Sequence, residues 1–213
     1  MIAGIDQVAG VRQQGVRAGK WLTKAEAEAE ALINAPDPAT LKGTRARALL
    51  GLLVGCGLRR GEAVALTVAH LEQRDGRWVI LDLLGKHGRL RTVPVPAWVK
   101  QAVDLWSDAA AITAGHVLRS LNRHGQITGD SLSAQAVLAV VGFYGAKLGL
   151  PLKPHDLRRT CAKLCRAGGG ELEQIQLLLG HASIQTTERY LGTRQNLADA
   201  PNDRLALHWN PTG

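Results

Sequence analysis

Aromatic residues are scarce in this 213-residue sequence: five Trp, two Tyr and one Phe make up 4% of it. Proteins that bind single-stranded nucleic acid usually stack the bases on several exposed rings, so this scarcity argues against a single-strand binder. A glycine-rich nucleotide-binding loop is also missing, which argues against ATP-dependent chemistry. We therefore expect a protein without a nucleotide cofactor.

Long apolar runs are lacking as well. The longest uncharged run, residues 131–146, contains two Ser and one Gln and ends at Lys147, so it falls short of a membrane span. The basic segment, apolar stretch and small-residue cleavage site of a secretion signal are not found at the start of the sequence. We expect a cytoplasmic, nucleoid-associated protein with no membrane partner.

Cysteine is rare: the three residues Cys56, Cys161 and Cys165 cannot all pair with one another. Their apolar, helical surroundings indicate reduced thiols that pack in the interior, as is usual in the cytosol. Cys161, Cys165 and His181 can also be written as three zinc ligands, but no fourth ligand follows at a finger-like spacing. The structural interpretation is favoured, and we expect no metal site.

Positive charge, in contrast, is abundant. The 26 Lys and Arg against 18 Asp and Glu give a formal net charge of +8, and the sequence pI is about 9.9. A protein with this balance attracts a polyanion. Because stacking rings are scarce, we expect the partner to be double-stranded DNA, contacted through its phosphate backbone.

The pattern of apolar residues and turn signals predicts one domain that is mainly α-helical with a small antiparallel β-sheet, an α+β fold. Residues 1–20 have no sustained apolar period, which indicates a linker or arm, and the ordered domain is expected to begin near Trp21. The predicted helices are residues 23–34, 37–53, 96–113, 133–148, 154–167 and 171–179, with a last helix that carries Tyr190. The predicted strands flank a turn at Asp75-Gly76, continue with residues 90–95 after a turn at residues 86–88, and include a short hairpin near residues 117–127.

The last third of the chain holds most of the reactive side chains. Pro154 can occupy the first turn of a helix on which His155 and Arg158, three residues apart, share a face. Gly180 ends the following helix and presents His181 at a turn. Tyr190 then lies on the final helix.

These residues, with two from the first half, supply the groups that phosphodiester cleavage by a phenol needs. The candidate catalytic set is Arg59, Lys86, His155, Arg158, His181 and Tyr190. A phenol attacks a phosphodiester only if cations stabilise the developing charge, and guanidinium groups grip two non-bridging oxygens at once. Lys86 on a turn can protonate the leaving 5′ oxygen, while His155 or His181 can accept the phenolic proton or bind the phosphate.

The spacing of these residues resembles the tyrosine recombinases, also called phage integrases. Residues 56–62 look like the first arginine box of that family, residues 85–94 look like its lysine-bearing hairpin, residues 155–158 resemble its second box, His-x-x-Arg, and residues 179–181 resemble its third box. Tyr190 follows His181 by nine residues, which is the spacing of the family nucleophile. The resemblance covers roughly residues 22–195.

The resemblance implies a role for each residue. Arg59 and Arg158 bind the scissile phosphate, Glu62 buttresses the site, Lys86 is the general acid, His155 transfers a proton, and Tyr190 forms a 3′-phosphotyrosyl link. Neither metal nor ATP is needed, because the covalent intermediate conserves the bond energy. Motif spacing selects Arg59 over Arg60 and Arg158 over Arg159.

The resemblance also implies an organisation and an assembly. Residues 1–20 are expected to be the remnant of an N-terminal DNA-binding domain, residues 21–195 the catalytic domain, and residues 196–213 a tail that docks on a neighbouring protomer or on its own domain. Four copies, monomeric when free, would act on two duplexes in integration, excision or resolution, with accessory DNA-bending proteins. The chain would come from a bacterium or a phage.

Two other functions remain open from the sequence. The chain is short, so it is also consistent with a non-catalytic DNA-binding fragment that regulates full-length recombinases. Strand relaxation of the type IB topoisomerase kind uses related chemistry and is the other alternative. In every case Arg89, Arg91 and Lys153 are candidates for contacts to the DNA backbone, which position the duplex without reading its sequence.

Overall fold

The computed structural model describes Leu22, residues 25–85, Gly88 and residues 90–191. Its helices are α1 Ala25–Asn34, α2 Leu41–Gly55, α3 Arg60–Ala65, α4 Ala97–Ala109, α5 Ala134–Lys147, α6 Pro154–Ala167, α7 Leu172–Leu179 and α8 Ile184–Leu191, with a 3-10 turn at Val68–His70. Its strands are β1 Leu71–Arg74, β2 Arg77–Leu84, β3 Leu90–Pro94, β4 Ser120–Leu121 and β5 Ile127–Gly129. This confirms the predicted class, mainly helical with small antiparallel sheets.

Helix α2 lies at the centre of the main apolar core. Its buried residues occur on every side, and it packs mainly against α4. Gly55 permits the close approach, because a Cβ at that position would lie 2.5 Å from Cγ2 of Val99. Trp106 of α4 is fully buried, and its Nε1 donates to the carbonyl oxygen of Val117 at 2.7 Å. Helices α2 and α4 thus form the centre of the main apolar core.

The predicted boundaries of two helices were wrong. Helix α2 begins at Leu41 rather than after Asp37, because the hydroxyl of Thr40 caps it by accepting from the backbone N of Gly43 at 3.0 Å. Asp37 instead closes a turn by accepting from the N of Ala39 at 2.9 Å. Helix α4 ends at Ala109, four residues before the predicted end, since Ala111 adopts a left-handed φ of 50°.

The three-stranded sheet confirms the predicted hairpin at Asp75-Gly76. Both turn residues have positive φ, 49° and 74°, as a tight turn between antiparallel strands requires. The register between β2 and β3 shifts between Ile80 and Leu83, and Asp82 within the shift has a φ of 50°. This bulge pairs Leu83 with Arg91 and so determines which way the first half of β3 faces.

The last three helices form a smaller unit beside the main core. A second apolar cluster consists of Ala162, Ile175, Leu179 and Leu191, one or two residues from each of α6, α7 and α8. Gly180 ends α7 in the left-handed conformation, with a φ of 61°. The chain therefore turns sharply at His181 before α8 begins.

Several predictions fall outside the described residues. The arm at residues 1–20, the tail at residues 196–213, Lys86 and Arg89 belong to this group, so the predicted division into arm, domain and tail stays a prediction. Within the described part of the chain, no helix is long and apolar enough to cross a membrane.

Candidate active site

Helix α6 places its first turn at the centre of a cluster of charged side chains. Pro154 occupies the first helical position, and the backbone N of Lys153 donates to Oδ2 of Asp156 at 2.9 Å, which fixes where the helix starts. One turn later, the side chain of Arg158 is 1% exposed. Its two terminal nitrogens donate to the carbonyl oxygens of Gly57 and Leu179. Arg158 is thus held by two separate segments of backbone.

The buried position changes the acid–base chemistry of Arg158 only modestly. Burial first, and the nearby Arg59 charge second, lower the pKa of Arg158 to about 10, although Glu62 opposes the shift. The group therefore stays protonated at neutral pH. Its Nε is buried and has no hydrogen-bond partner among the described residues.

Arg59 lies at the start of α3, where the chain leaves the turn at Gly57. Its backbone N donates to Oε2 of Glu62 at 2.7 Å, and its Nη1 donates to Oε1 at 2.6 Å. Glu62 is nearly enclosed, whereas the Arg59 side chain remains 31% exposed. Glu62 thus holds Arg59 from behind and leaves part of the guanidinium facing solvent.

Glu62 also receives Arg91, which the sequence had assigned to the DNA surface. Arg91 Nη1 and Nη2 donate to the two carboxylate oxygens at 2.9 and 2.8 Å, and its Nε donates to the carbonyl oxygen of Leu178 at 3.1 Å. Only 8% of the side chain is exposed. In this structure Arg91 directs three of its nitrogens to groups inside the protein, and its predicted contact with the DNA backbone stays a prediction.

The ionised form of Glu62 is strongly favoured. Burial alone would raise its pKa, but hydrogen bonds and charge from Arg91 and Arg59 outweigh burial and lower the pKa to about 2. Arg158 Nη1 lies 4.0 Å from Oε2 of the same carboxylate. One buried carboxylate is thus surrounded by three guanidinium groups.

Tyr190 on α8 meets the first turn of α6. Its hydroxyl lies 3.2 Å from Nε2 of His155, and the two rings meet edge to face with centroids 5.3 Å apart. The ring of His181 also meets the ring of Tyr190 edge to face, with centroids 5.1 Å apart. The guanidinium carbon of Arg159 lies 5.0 Å from the centre of the Tyr190 ring. The phenol is thus bordered by two imidazoles and a cation.

The electrostatics keep both imidazoles neutral. Burial, followed by the charges of Arg158 and Arg59, lowers the pKa of His181 to about 4. Burial and the charge of Arg159 lower the pKa of His155 from its ordinary value. Burial also raises the pKa of Tyr190, while the charges of Arg158 and Arg159 oppose this rise. At neutral pH the site therefore has a protonated phenol beside two neutral imidazoles.

His181 is oriented by a residue that the sequence reading had missed. Its Nδ1 lies 3.0 Å from Oγ1 of Thr187, which is fully buried on α8. This hydrogen bond leaves Nε2 as the nitrogen that can face a ligand. Arg159 was also missed as a neighbour of Tyr190, because motif spacing selected Arg158 alone.

A cleft of about 540 Å³ opens beside these groups. Its lining includes Arg59, Arg60, Lys153, His155 and Arg158. Lys153 is exposed at the cleft, where the sequence had predicted a contact to a DNA backbone. A cleft lined by cations suits an anionic ligand.

The structure brings together most of the predicted site. Arg59, His155 and Arg158 line the cleft. Glu62 binds Arg59, Tyr190 lies against His155, and His181 packs against Tyr190. Lys86 and Arg89 belong to the residues that are not described. Cys56, Cys161 and Cys165 are free cysteines. In the described ranges, no group of three or more His, Cys, Asp or Glu residues is arranged to hold a metal ion.

Comparison with known proteins gives consistent matches. The model of the phage integrase family matches residues 20–196. The tyrosine recombinase XerC of Rhodospirillum centenum is 39% identical over 150 residues, which are 70% of this chain and 42% of that protein. The tyrosine recombinase XerD of Pseudomonas putida is 31% identical over 204 residues, 92% of this chain and 64% of that protein. The chain thus spans less than two thirds of the length of either relative.

A solved structure shares the fold. The XerH site-specific recombinase, crystallised with a palindromic difH substrate as a post-cleavage complex, matches with a TM-score of 0.68 at 23% identity. The match covers 88% of this chain and 54% of that chain. At this identity the likeness describes the fold of the two chains.

Proposed function

The chain belongs to the phage integrase family, and from that premise we propose that it is the catalytic domain of a site-specific DNA recombinase with Tyr190 as its nucleophile. The observation that carries the proposal is the 3.2 Å approach of the Tyr190 hydroxyl to Nε2 of His155, at the edge of a cleft lined by Arg59 and Arg158. A neutral base, a phenol and two guanidinium groups around one cleft suit attack on a phosphodiester.

The two arginines have the first role, binding the scissile phosphate. Arg59 and Arg158 donate to the non-bridging oxygens, whose negative charge increases as the phosphorus becomes five-coordinate. Both guanidinium groups are held from behind, by Glu62 and by backbone carbonyls. Little reorganisation is then required when the charge develops, which is the condition for strong electrostatic catalysis.

Proton transfer accompanies the attack. His155 accepts the phenolic proton as the Tyr190 oxygen bonds to phosphorus, and the bond from phosphorus to the 5′ oxygen breaks. Lys86, placed by the family hairpin motif, gives its proton to that 5′ oxygen. His181 donates a hydrogen bond to the phosphate through Nε2. The products are a 3′-phosphotyrosyl link and a free 5′ hydroxyl.

The reverse reaction completes recombination. A 5′ hydroxyl from a partner strand attacks the phosphotyrosine, which releases Tyr190 and joins the strands. The link keeps the energy of the broken bond, so this chemistry requires neither ATP nor a divalent ion. Four copies on two duplexes supply the partner strands, and residues 196–213 connect neighbouring copies. Accessory DNA-bending proteins help to assemble this complex.

Basic residues outside the catalytic set position the duplex. Lys153 at the cleft and Arg89 near the hairpin turn are proposed to contact backbone phosphates. Each such contact releases a counterion, so neutralising Lys153 should lower the salt dependence of DNA binding by about one unit of slope.

The test is covalent trapping on a pool of nicked, end-labelled duplexes of randomised sequence, in EDTA and under denaturing conditions. Wild type should form a protein–DNA adduct that Tyr190→Phe abolishes while duplex binding is retained. Tyr144→Phe is the matched control, since Tyr144 is the other tyrosine of the chain and lies in α5. An adduct with Tyr190→Phe would rule out Tyr190 as the nucleophile.

The same experiment separates the alternative functions. Binding without any adduct from wild type would favour the non-catalytic DNA-binding fragment, a reading consistent with a chain that spans about half of its relatives. Relaxation of a supercoiled plasmid without dependence on a specific site or a second duplex would favour topoisomerase activity.

A further inference from the structure

Arg91 links three parts of the candidate site, and no step of the proposed chemistry uses it. It lies on β3, within the segment 85–94 that resembles the family's lysine-bearing hairpin. Two of its nitrogens bind both oxygens of Glu62 on α3, and its Nε binds the carbonyl oxygen of Leu178 on α7. The side chain thus joins the lysine hairpin, the arginine box and the helix that precedes His181.

The end of α7 is where two arginines converge. The last carbonyl groups of a helix have no partner within the helix and carry partial negative charge, so they favour cations. Arg91 takes the carbonyl oxygen of Leu178, and Arg158 takes that of Leu179. Gly180 follows with a φ of 61°, and a Cβ there would lie 2.8 Å from Cδ of Arg91. The backbone of Gly180, which directly precedes His181, therefore lies close against the Arg91 side chain.

The charge balance of the site also depends on Arg91. Glu62 would otherwise present a buried carboxylate to Arg59 and to Arg158, whose Nη1 is 4.0 Å away. A buried charge without its partner is costly, so the carboxylate would draw these two guanidinium groups toward itself. Both groups are the proposed phosphate ligands. Arg91 limits this competition, because it donates to both carboxylate oxygens alongside Arg59.

We propose that Arg91 is a positioning residue, which holds Glu62 and the end of α7 so that Arg59, Arg158 and His181 face a single phosphate. The inference rests on the proposed function for its activity readout. Arg91 touches no substrate atom in this scheme and acts through Glu62 and the α7 backbone.

The test uses variants of the whole chain: Arg91→Gln, Arg91→Lys, Glu62→Gln and the double variant of Arg91→Gln with Glu62→Gln. Arg74→Gln is the matched control, because Arg74 lies on the same sheet and pairs with Glu72 at 2.8 Å, but at the exposed surface. Circular dichroism melting of each variant shows whether it is folded before any rate is compared.

The first measurement is single-turnover adduct formation on a nicked duplex selected from the randomised pool. Arg91→Gln should slow adduct formation on the order of 100-fold, as expected when reacting groups are displaced by about 1 Å, while Arg74→Gln cleaves as wild type does. Arg91→Lys should recover part of the rate, because one ammonium can reach one carboxylate oxygen. In a background of Glu62→Gln the same Arg91 change should cost much less, since the carboxylate that it restrains is gone.

The second measurement is independent of catalysis: carboxyl ¹³C NMR titration, with the Glu62 signal assigned by its loss in Glu62→Gln. The charged groups that face Glu62 are Arg59 from its own helix start, Arg91 from β3 and Arg158 from α6, and His181 titrates nearby. In wild type the pKa of Glu62 is about 2, so the signal should not move above pH 4. In Arg91→Gln burial still raises this pKa against one fewer cation, so Glu62 should titrate at a higher pH.

The two measurements distinguish failure of the proposed function from failure of the positioning role of Arg91. If wild type forms no adduct, the proposed function fails, and the NMR titration still tests the Arg91–Glu62 coupling. A folded Arg91→Gln variant that cleaves like wild type would overturn the positioning role. So would rate effects of Arg91→Gln and Glu62→Gln that simply multiply in the double variant, or a Glu62 titration that does not change when Arg91 is replaced.

Discussion

The guanidinium side and the tyrosine side of the site are built differently. Arg158 and Arg91 are almost fully enclosed, and each donates to backbone carbonyl oxygens or to the shared carboxylate of Glu62. Tyr190 lies on an eight-residue helix, and its hydroxyl interacts with a single imidazole and a backbone carbonyl. The guanidinium groups of Arg158 and Arg91 are thus fixed by several hydrogen bonds inside the protein. Among the described residues, the Tyr190 hydroxyl has two hydrogen-bond partners, both from His155.

The apolar packing shows the same contrast. Helix α2 and its neighbours form a core of more than thirty buried residues, which reaches Leu58 and Leu157 next to the arginines. Helix α8 is secured by a cluster of four, to which it contributes Leu191. Segments that bury little apolar surface open at a lower free energy than the core. We therefore expect α8, which carries the proposed nucleophile Tyr190, to open at a lower free energy than the core beside the arginines.

The largest expected effect tests the rigid half. Arg158→Ala should slow adduct formation by roughly 100- to 1,000-fold, about 3–4 kcal/mol, as for the loss of a key oxyanion donor. Single-turnover rates at saturating DNA measure this directly, with Arg158→Lys as the comparison variant. A rate close to wild type would mean that the buried guanidinium does not contact the transition state.

The next effect compares the two apolar clusters. Leu53→Ala in α2 should lower the free energy of unfolding by about 2–5 kcal/mol, because a cavity opens in the main core. Leu191→Ala should lower global stability less and instead speed amide hydrogen exchange along α8. Urea unfolding and hydrogen exchange of both variants give the two quantities. Equal losses of global stability would break the proposed contrast.

A smaller effect follows from the imidazoles on the tyrosine side. The folded pKa of His181, about 4, lies below its ordinary value near 6.5, so the unfolded chain binds more protons between these values. Stability is fully present above about pH 6.5 and should fall as the pH drops toward 4. Urea unfolding at pH 7 and pH 5 should show this fall in wild type. The slope should be shallower in His181→Asn, and an unchanged slope would assign the pH dependence to other groups.

The smallest effect is expected at an exposed ion pair. Nζ of Lys100 lies 2.6 Å from Oδ1 of Asp104 on α4, and about half of the aspartate side chain is exposed to solvent. Asp104→Asn should change the free energy of unfolding by only about 0.3–0.5 kcal/mol and leave cleavage unchanged. A loss of several kcal/mol would show that this surface ion pair contributes as much to the free energy of unfolding as a buried ion pair.

Local signals allowed most of the fold to be predicted from sequence. The Asp75-Gly76 turn, the Pro154 helix start and the Gly180 helix end depend on neighbouring residues and are confirmed. The predicted start of α2 was wrong because Asp37 was expected to cap the helix, whereas the hydroxyl of Thr40, three residues later, does so.

The contacts of Arg91 could not be predicted from its neighbours in the sequence. Its partner Glu62 is 29 residues away, and its inward direction depends on the register shift beside Asp82. The contact with Glu62 and the register shift both arise only when the chain is folded. The positions of Arg159 and Thr187 likewise depend on how α8 packs against α6. Motif spacing predicted the candidate catalytic residues, whereas the residues that contact them were found only from three-dimensional contacts.

The carboxylate of Glu62 also bears on which state of the substrate the site would favour. Three guanidinium groups around it leave two net positive charges before DNA arrives. A phosphodiester carries one negative charge, and its five-coordinate transition state carries one more. Without the carboxylate, the surplus cation would tighten the hold on uncut DNA as well, and such uniform binding does not raise the rate of the chemical step. Under the proposed chemistry, the buried anion would thus make the charge of the site complementary to the transition state rather than to the intact strand.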